Sequence, residues 1–184
     1  MCAAALTDDD HLIAEHRVNI KNIHAARLFP IIHSVFDMAS FEQKELDGIA
    51  ISIGPGSFTG LRIGLSAAKG MAIGQNIPIV AVPTMQALAS NAPIRDGLVC
   101  AILQSRANEF YTTIYSRDNY KDTIMQDTSI STFEELVDSI PSNACLIGHM
   151  QRFFEEETLR KRCFFAPADA NYLSAFSVAK IGSQ

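Results

Sequence analysis

The stretch IAISIGPGSFTGLRIGLSAAKG, Ile49 to Gly70, decides how the rest of the chain is read. An apolar run with β-branched residues meets a glycine-rich turn and then a helical pattern. Strand, turn and helix in that order form the frame in which proteins hold a phosphate on backbone N–H groups. Five of the chain's ten glycines fall here, at Gly54, Gly56, Gly60, Gly64 and Gly70.

The turn lacks the side chains that three known chemistries require. A P-loop needs a lysine and a hydroxyl directly after its last glycine, whereas Gly60 is followed by Leu61 and Arg62, and Lys69 lies more than two helical turns further on. A dinucleotide fingerprint needs a third glycine in register and an acid closing the next strand; Gly60 is one position late, and that strand ends Ala81-Val82-Pro83. A nucleophile elbow around Ser57 would need glycines where Pro55 and Thr59 stand. Gly60, Gly64, Ala67, Ala68 and Ala72 do form a helix face of small residues, fit either for packing on the protein's own sheet or for close approach of another chain's helix.

Working outward, Cys2–Leu6 and Leu12–Val18 read as a strand pair joined by the polar turn Thr7 to Asp10. From His24, Leu28, Ile32, Val35 and Ala39 recur at helical spacing with Phe29 and Phe36 beside them, and Pro30 is expected in the first turn. Gly48–Ile53 is expected to be a strand buried on both faces, followed by a helix over 59–73 that Gly74 ends. A strand over Ile77–Val82 and a helix from an N-cap at Thr84 through Ala89 complete a crossover, which implies a parallel pair.

After a soft segment over 90–96, strands are expected at Leu98–Gln104 and Phe110–Tyr115 with a turn over 105–109. Thr132 and Glu135 form a capping box for a helix over 133–140. Short strands at 144–147 and 163–165 and a helix over 170–181 close the chain. The organisation is two α/β lobes, 1–92 and 93–184.

The 184 residues, 48% hydrophobic, suffice for one ordinary domain or two small ones. A formal charge of -5 leaves no basic surface for gripping nucleic acid alone. Glu156/Arg160 and Glu157/Lys161 have the spacing of ion pairs on a solvated helix face. Cys2, Cys100, Cys145 and Cys163 lack any CxxC spacing, which fits a reduced cytoplasmic protein. His11, His16, His24, His33 and His149 show neither HExxH nor an i, i+4 pair, so no metal site is expected. The most apolar region, 67–89, is interrupted by Lys69, Gln75, Asn76, Pro78 and Pro83, and no membrane span is expected.

GPGSFTGLRIGLSAAKGMA at 54–72, with HAARLFP at 24–30, IPIVAVPT at 77–84 and SRANEFY at 105–111, resembles the TsaB (YeaZ) family of bacterial threonylcarbamoyladenosine biosynthesis proteins, formerly called glycoprotease-like. The resemblance implies an actin-like, Hsp70-like ATPase fold (ASKHA, ribonuclease H-like) and no catalytic site. It implies a heterodimer with TsaD, which transfers the threonylcarbamoyl group to adenosine 37 of tRNAs reading codons that begin with A. TsaE completes that machine, tRNA is met only through the complex, and the chain alone forms a homodimer.

Carried onto this sequence, the implied interface comprises Leu28, Phe29, Ile32, Val35 and Phe36 on the first helix and Arg62, Leu65, Ser66 and Lys69 on the second. Gly54, Pro55, Gly56, Ser57, Phe58, Thr59 and Gly60 form the signature turn. No cofactor of its own is implied, with ATP or ADP at the interface of the complex left open. Family members begin with a strand ending Asp-Thr-Ser ahead of the segment matching Cys2–Leu6, so the first lobe is expected to lack that strand, through a misplaced start or a truncation. Gln104-Ser105-Arg106 also departs from the family's Asp-Ala-Arg. An ATP-binding enzyme of the same fold and a glycoprotease-like peptidase are the alternatives.

Overall fold

The computed structural model describes residues 1–19 and 24–184, with the side chains of 24–26 also outside the described residues. The expectation placed on the His24 imidazole therefore lies outside them. The chain divides into two compact units, Met1–Thr84 with Ser174–Gln184, and Met85–Leu173. This differs from the expected boundary at 92/93: the terminal helix returns to the first unit, and residues 85–92 belong to the second.

In the first unit β1 (Cys2–Asp8) and β2 (His11–Val18) form the expected antiparallel hairpin, reversing at Asp9 in the left-handed region. Helix α1 (His24–Ala39) packs on both. Pro30 is its seventh residue rather than part of the first turn. The proline is exposed, so water can take the carbonyl bond that its missing N–H forfeits.

Strand β3 (Ile49–Ser52) pairs in parallel with β4 (Ile79–Val82) through α2 (Phe58–Gln75), as the crossover pattern requires. Gly74 lies inside α2, and the helix ends at Asn76, whose short amide side chain tolerates the left-handed conformation at φ 57°. β3 is only half-buried, against the expectation of burial on both faces: it pairs with β4 alone among the described residues. The terminal helix α6 (Ala175–Gly182) packs on β1 and β3. Its contact is close enough that a Cβ on Gly182 would lie 2.5 Å from Ala50 Cβ.

The second unit opens with α3 (Thr84–Ala89), which begins at Thr84 at the end of the first unit. Thr84 is helical rather than an N-cap, and its hydroxyl lies 2.6 Å from Ser52 Oγ on β3. A five-stranded sheet follows, made of β5 (Gly97–Arg106), β6 (Glu109–Asp118), β7 (Lys121–Thr132), β8 (Ala144–Gly148) and β9 (Phe164–Phe165) in the order β7-β6-β5-β8-β9. β5, β6 and β7 form an antiparallel meander, while β8 and β9 run parallel to β5.

β7 has no counterpart in the sequence reading because it is an exposed edge strand with no run of buried apolar positions. The capping box at Thr132 and Glu135 is present and starts α4 (Phe133–Ser139). Helix α5 (Glu157–Arg162) carries the Glu157–Lys161 ion pair at 2.6 Å, while Glu156 instead accepts a hydrogen bond from Thr158 N at the helix start. Apolar clusters cover both faces of the sheet, one around Phe110, Phe153 and Leu159, the other around Met85, Leu88 and Tyr115.

Candidate docking site

The glycine-rich turn is closed by backbone bonds. Ile53 N donates to Val82 O and Thr84 N to Gly54 O, which ties the strand end of the turn to β4 and the start of α3, while Leu61 N donates to Ser57 O at the helix end. Gly54 adopts φ +113°, and a Cβ there would lie 3.2 Å from Leu61 Cδ1. The glycine is therefore required by backbone conformation and by the leucine packed over it. Gly60 N donates to Ser57 Oγ at 3.3 Å, so the Ser57 hydroxyl serves as the N-cap of α2. The Arg62 guanidinium lies over the Phe58 ring, 3.8 Å from its centroid.

The small-residue face of α2 turns inward. A Cβ on Gly64 would touch Ile51 Cδ1 at 3.4 Å, and Ala67, Ala68 and Ala72 are buried. The small residues thus bring α2 close to its own sheet, the first of the two readings that the sequence left open for this face. Gly70 and Gly74 differ, since a Cβ at either would meet nothing within 4 Å.

The implied interface residues divide in the same way. Arg62, Ser66 and Lys69 are exposed and Leu65 is half-buried. On α1, Phe29 is 51% exposed, and Leu28, Ile32 and Phe36 are half-buried. Val35 is 2% exposed, as is Ile31. Both belong to the core beneath α1, because the turn that faces Phe29 outward faces Ile31 and Val35 inward, so Val35 leaves the interface set.

Between the helices lies a cleft of about 300 Å³, walled by Phe29, Ile32 and His33 from α1 and by Ala67, Gly70 and Met71 from α2. One exposed apolar residue on the outward side of α2 was not singled out from sequence: Ile73, 81% exposed. The spacing Arg62, Ser66, Lys69, Ile73 follows one helix face and was the available signal. α2 contains no acidic residue, so Arg62 and Lys69 make its outward face basic in a chain whose formal charge is -5.

In the second unit, Gln104 N donates to His149 Nδ1 at 2.8 Å and Gln104 Nε2 to Ala107 O. Burial holds the His149 pKa below its ordinary value. Gly148, at φ +116°, admits no side chain because a Cβ would fall 2.0 Å from Ile102 O; its N–H donates to Asn171 Oδ1. His16 Nδ1 lies 3.0 Å from Ser34 Oγ. Among the described residues no group of three or more His, Cys, Asp or Glu side chains could hold a metal, and no helix is long and apolar enough to cross a membrane. All four cysteines are free.

Comparison with known proteins agrees with the fold. The family model of TsaD, tRNA N6-adenosine threonylcarbamoyltransferase, matches residues 17–181. The tRNA threonylcarbamoyladenosine biosynthesis protein TsaB of Bacillus subtilis (strain 168) is 29% identical over 189 aligned residues, covering 98% of this chain and 81% of that protein. TsaB of Escherichia coli (strain K12) is 31% identical over 119 residues, covering 64% of this chain and 51% of that protein. The structure of YeaZ from Pseudomonas aeruginosa superposes with a TM-score of 0.77 at 24% identity, over 98% of this chain and 85% of that one. The ethanolamine utilization protein EutJ from Carboxydothermus hydrogenoformans superposes at 0.50 with 16% identity, over 92% and 79%. The fold is thus the α/β architecture of the actin-like, ribonuclease H-like ATPases.

Proposed function

The chain belongs to the family that the threonylcarbamoyltransferase model describes, within its TsaB (YeaZ) group, and from that premise we propose that it is a non-catalytic subunit in forming N6-threonylcarbamoyladenosine at position 37 of tRNAs that read codons beginning with A. It acts by pairing with the catalytic subunit TsaD and supporting its activity, with TsaE as the third component, in the cytoplasm. tRNA meets this chain only through the complex, and the chain alone pairs with a second copy. It needs no metal or cofactor of its own, and any ATP or ADP sits at the junction with the partner.

The observation that carries this reading is the exposed apolar surface on α1 and α2, with Phe29 and Ile73 each more than half open to water. Large apolar side chains grouped beside a cleft are costly to leave solvated and mark interaction surfaces. The overall negative charge supports the same view, since a chain of formal charge -5 with two cations on one helix needs a partner to engage tRNA.

Two measurements test it. Mixing the chain with TsaD is expected to give a heterodimer on size-exclusion chromatography, and Phe29→Asp is expected to abolish it while leaving the circular-dichroism spectrum intact. Depletion in the source cell is expected to remove threonylcarbamoyladenosine from tRNA hydrolysates; an unchanged level of that nucleoside refutes the assignment.

A further inference from the structure

We infer that the imidazole of His149 is a titratable rung in the sheet of the second unit: while neutral it extends the β5–β8 ladder to Gln104, and on taking up a proton it releases the turn that joins β5 to β6. This stands apart from the docking reading above.

The ladder shows why a side chain is used there. β5 and β8 run parallel with Ile102 opposite Gly148, and His149 N donates to Ile102 O at 2.9 Å. In a parallel ladder the next rung would take Gln104 N to the backbone carbonyl of residue 149. Gly148 adopts φ +116° and turns the chain out of strand geometry, and Gln104 N donates instead to Nδ1 of the His149 ring at 2.8 Å. A backbone N–H can only donate, so Nδ1 is the unprotonated nitrogen and the ring carries its proton on Nε2. A carbonyl accepts at every pH, whereas an imidazole accepts at Nδ1 only while neutral.

Protonation sets two donors against each other. The Nδ1–H of the charged ring would meet Gln104 N–H across the same 2.8 Å, so the ring has to turn away. Gln104 then loses its partner beside Ser105, the extra residue of a bulge between the pairs Gln104–Phe110 and Arg106–Glu109. Asn108, bonded to Arg152 and Glu134, is left as the tie that holds the turn.

The residue has a side open to water, which gives protons access to the ring. Burial of the rest is the main cause that holds its pKa below the ordinary value, with a smaller contribution from the chain's α-amino group. The charged side chains on the bordering segments are Arg106 on β5, Glu109 on β6, Glu134 on α4, Arg152 after β8 and Asp169 ahead of Asn171. Of these, Arg152 and Glu134 offset each other as an ion pair at 3.6 Å. The bond from Gln104, which only the neutral ring accepts, acts in the same direction as burial. The rung is therefore closed at neutral pH and opens in acid, below the ordinary histidine value of about 6.5.

Amide NMR of the full chain, titrated from about pH 8 into acid, tests this. The ring's own midpoint is read from its carbon-bound protons. The Gln104 amide signal is expected to shift with that same midpoint, and its exchange protection, corrected for the intrinsic rate, to fall about 5- to 10-fold across it, as loss of one hydrogen bond implies. The His149 amide, bonded to Ile102 O, is expected to keep its protection. His149→Asn puts a carbonyl oxygen near the place of Nδ1 and is expected to hold Gln104 equally well at every pH. A Gln104 signal that ignores the ring's titration, or that titrates just as strongly in His149→Asn, overturns the rung. So does a ring that stays neutral down to about pH 4, since nothing then switches. Simultaneous loss of protection at Gln104 and at the His149 amide also overturns it, because the end of the sheet would be unfolding as a whole.

Discussion

Arg117 shows what a single buried side chain does for the second unit. Its Nε donates to Asp122 Oδ1 at 2.7 Å and Nη2 to Oδ2 at 2.8 Å. Its remaining bonds reach the carbonyls of Ala89, Ala92 and Ile94, so one guanidinium joins β6 to the end of α3 and the segment after it. Removing one member leaves the other charge buried without a partner. Arg117→Met is expected to cost about 3–5 kcal/mol in urea unfolding, with part recovered by adding Asp122→Leu. His149 gives a pH signature. Its folded-state pKa is lowered by burial, so the unfolded chain binds the proton more tightly. The stability it contributes is complete above an ordinary histidine pKa of about 6.5 and declines as pH falls through the lowered value. Unfolding free energy measured between about pH 7 and pH 5 is expected to fall, with a smaller slope in His149→Asn.

At the scale of elements, α6 depends on a residue far from it in sequence. Glu15 Oε1 on β2 accepts hydrogen bonds from Ser174 Oγ, Ala175 N and Phe176 N, at 2.9, 2.7 and 3.3 Å. A carboxylate there satisfies the free N–H groups and complements the helix dipole. Glu15→Ala is expected to destabilise the first unit by about 1–2 kcal/mol and to make the C-terminal segment a preferred site of limited proteolysis. The other end of α6 is held by shape: Gly182→Ala brings a Cβ against Ala50 and is expected to cost about 1–3 kcal/mol. The helix bounds followed local signals where a cap was self-contained, as at Thr132 with Glu135. They failed at Gly74 and Thr84, where an αL asparagine two residues on and a contact with Ser52 decided the outcome.

At the scale of the molecule, the two units differ in how their sheets are made. The second has five strands with apolar clusters on both faces; the first has, among the described residues, two separate pairs, β1 with β2 and β3 with β4. Two-stranded sheets are marginal by themselves and lean on the helices packed against them. Native-state hydrogen exchange is expected to be slowest in β5 and β8 and faster by orders of magnitude in β3. Slower exchange in β3 than in β5 would contradict this account.

The sequence alone determined the strand-turn-helix frame at Ile49–Gly70, the parallel β3–β4 crossover, the hairpin at the start and the family resemblance. Each of these is written in neighbouring residues, through apolar periodicity, glycine spacing or a cap. Tertiary structure alone decided which side of a helix meets the protein and which meets water. Ile31, Val35 and Phe29 are equally apolar in the sequence, yet the first two are buried and the third is half open. Gly64 and Gly70 are both helical glycines, but Ile51 stands against one and empty space beside the other. The return of α6 to the first unit and the edge position of β7 are likewise decided by long-range packing. Such contacts join residues that local periodicity cannot relate, and the surface offered for docking is what remains after they have formed.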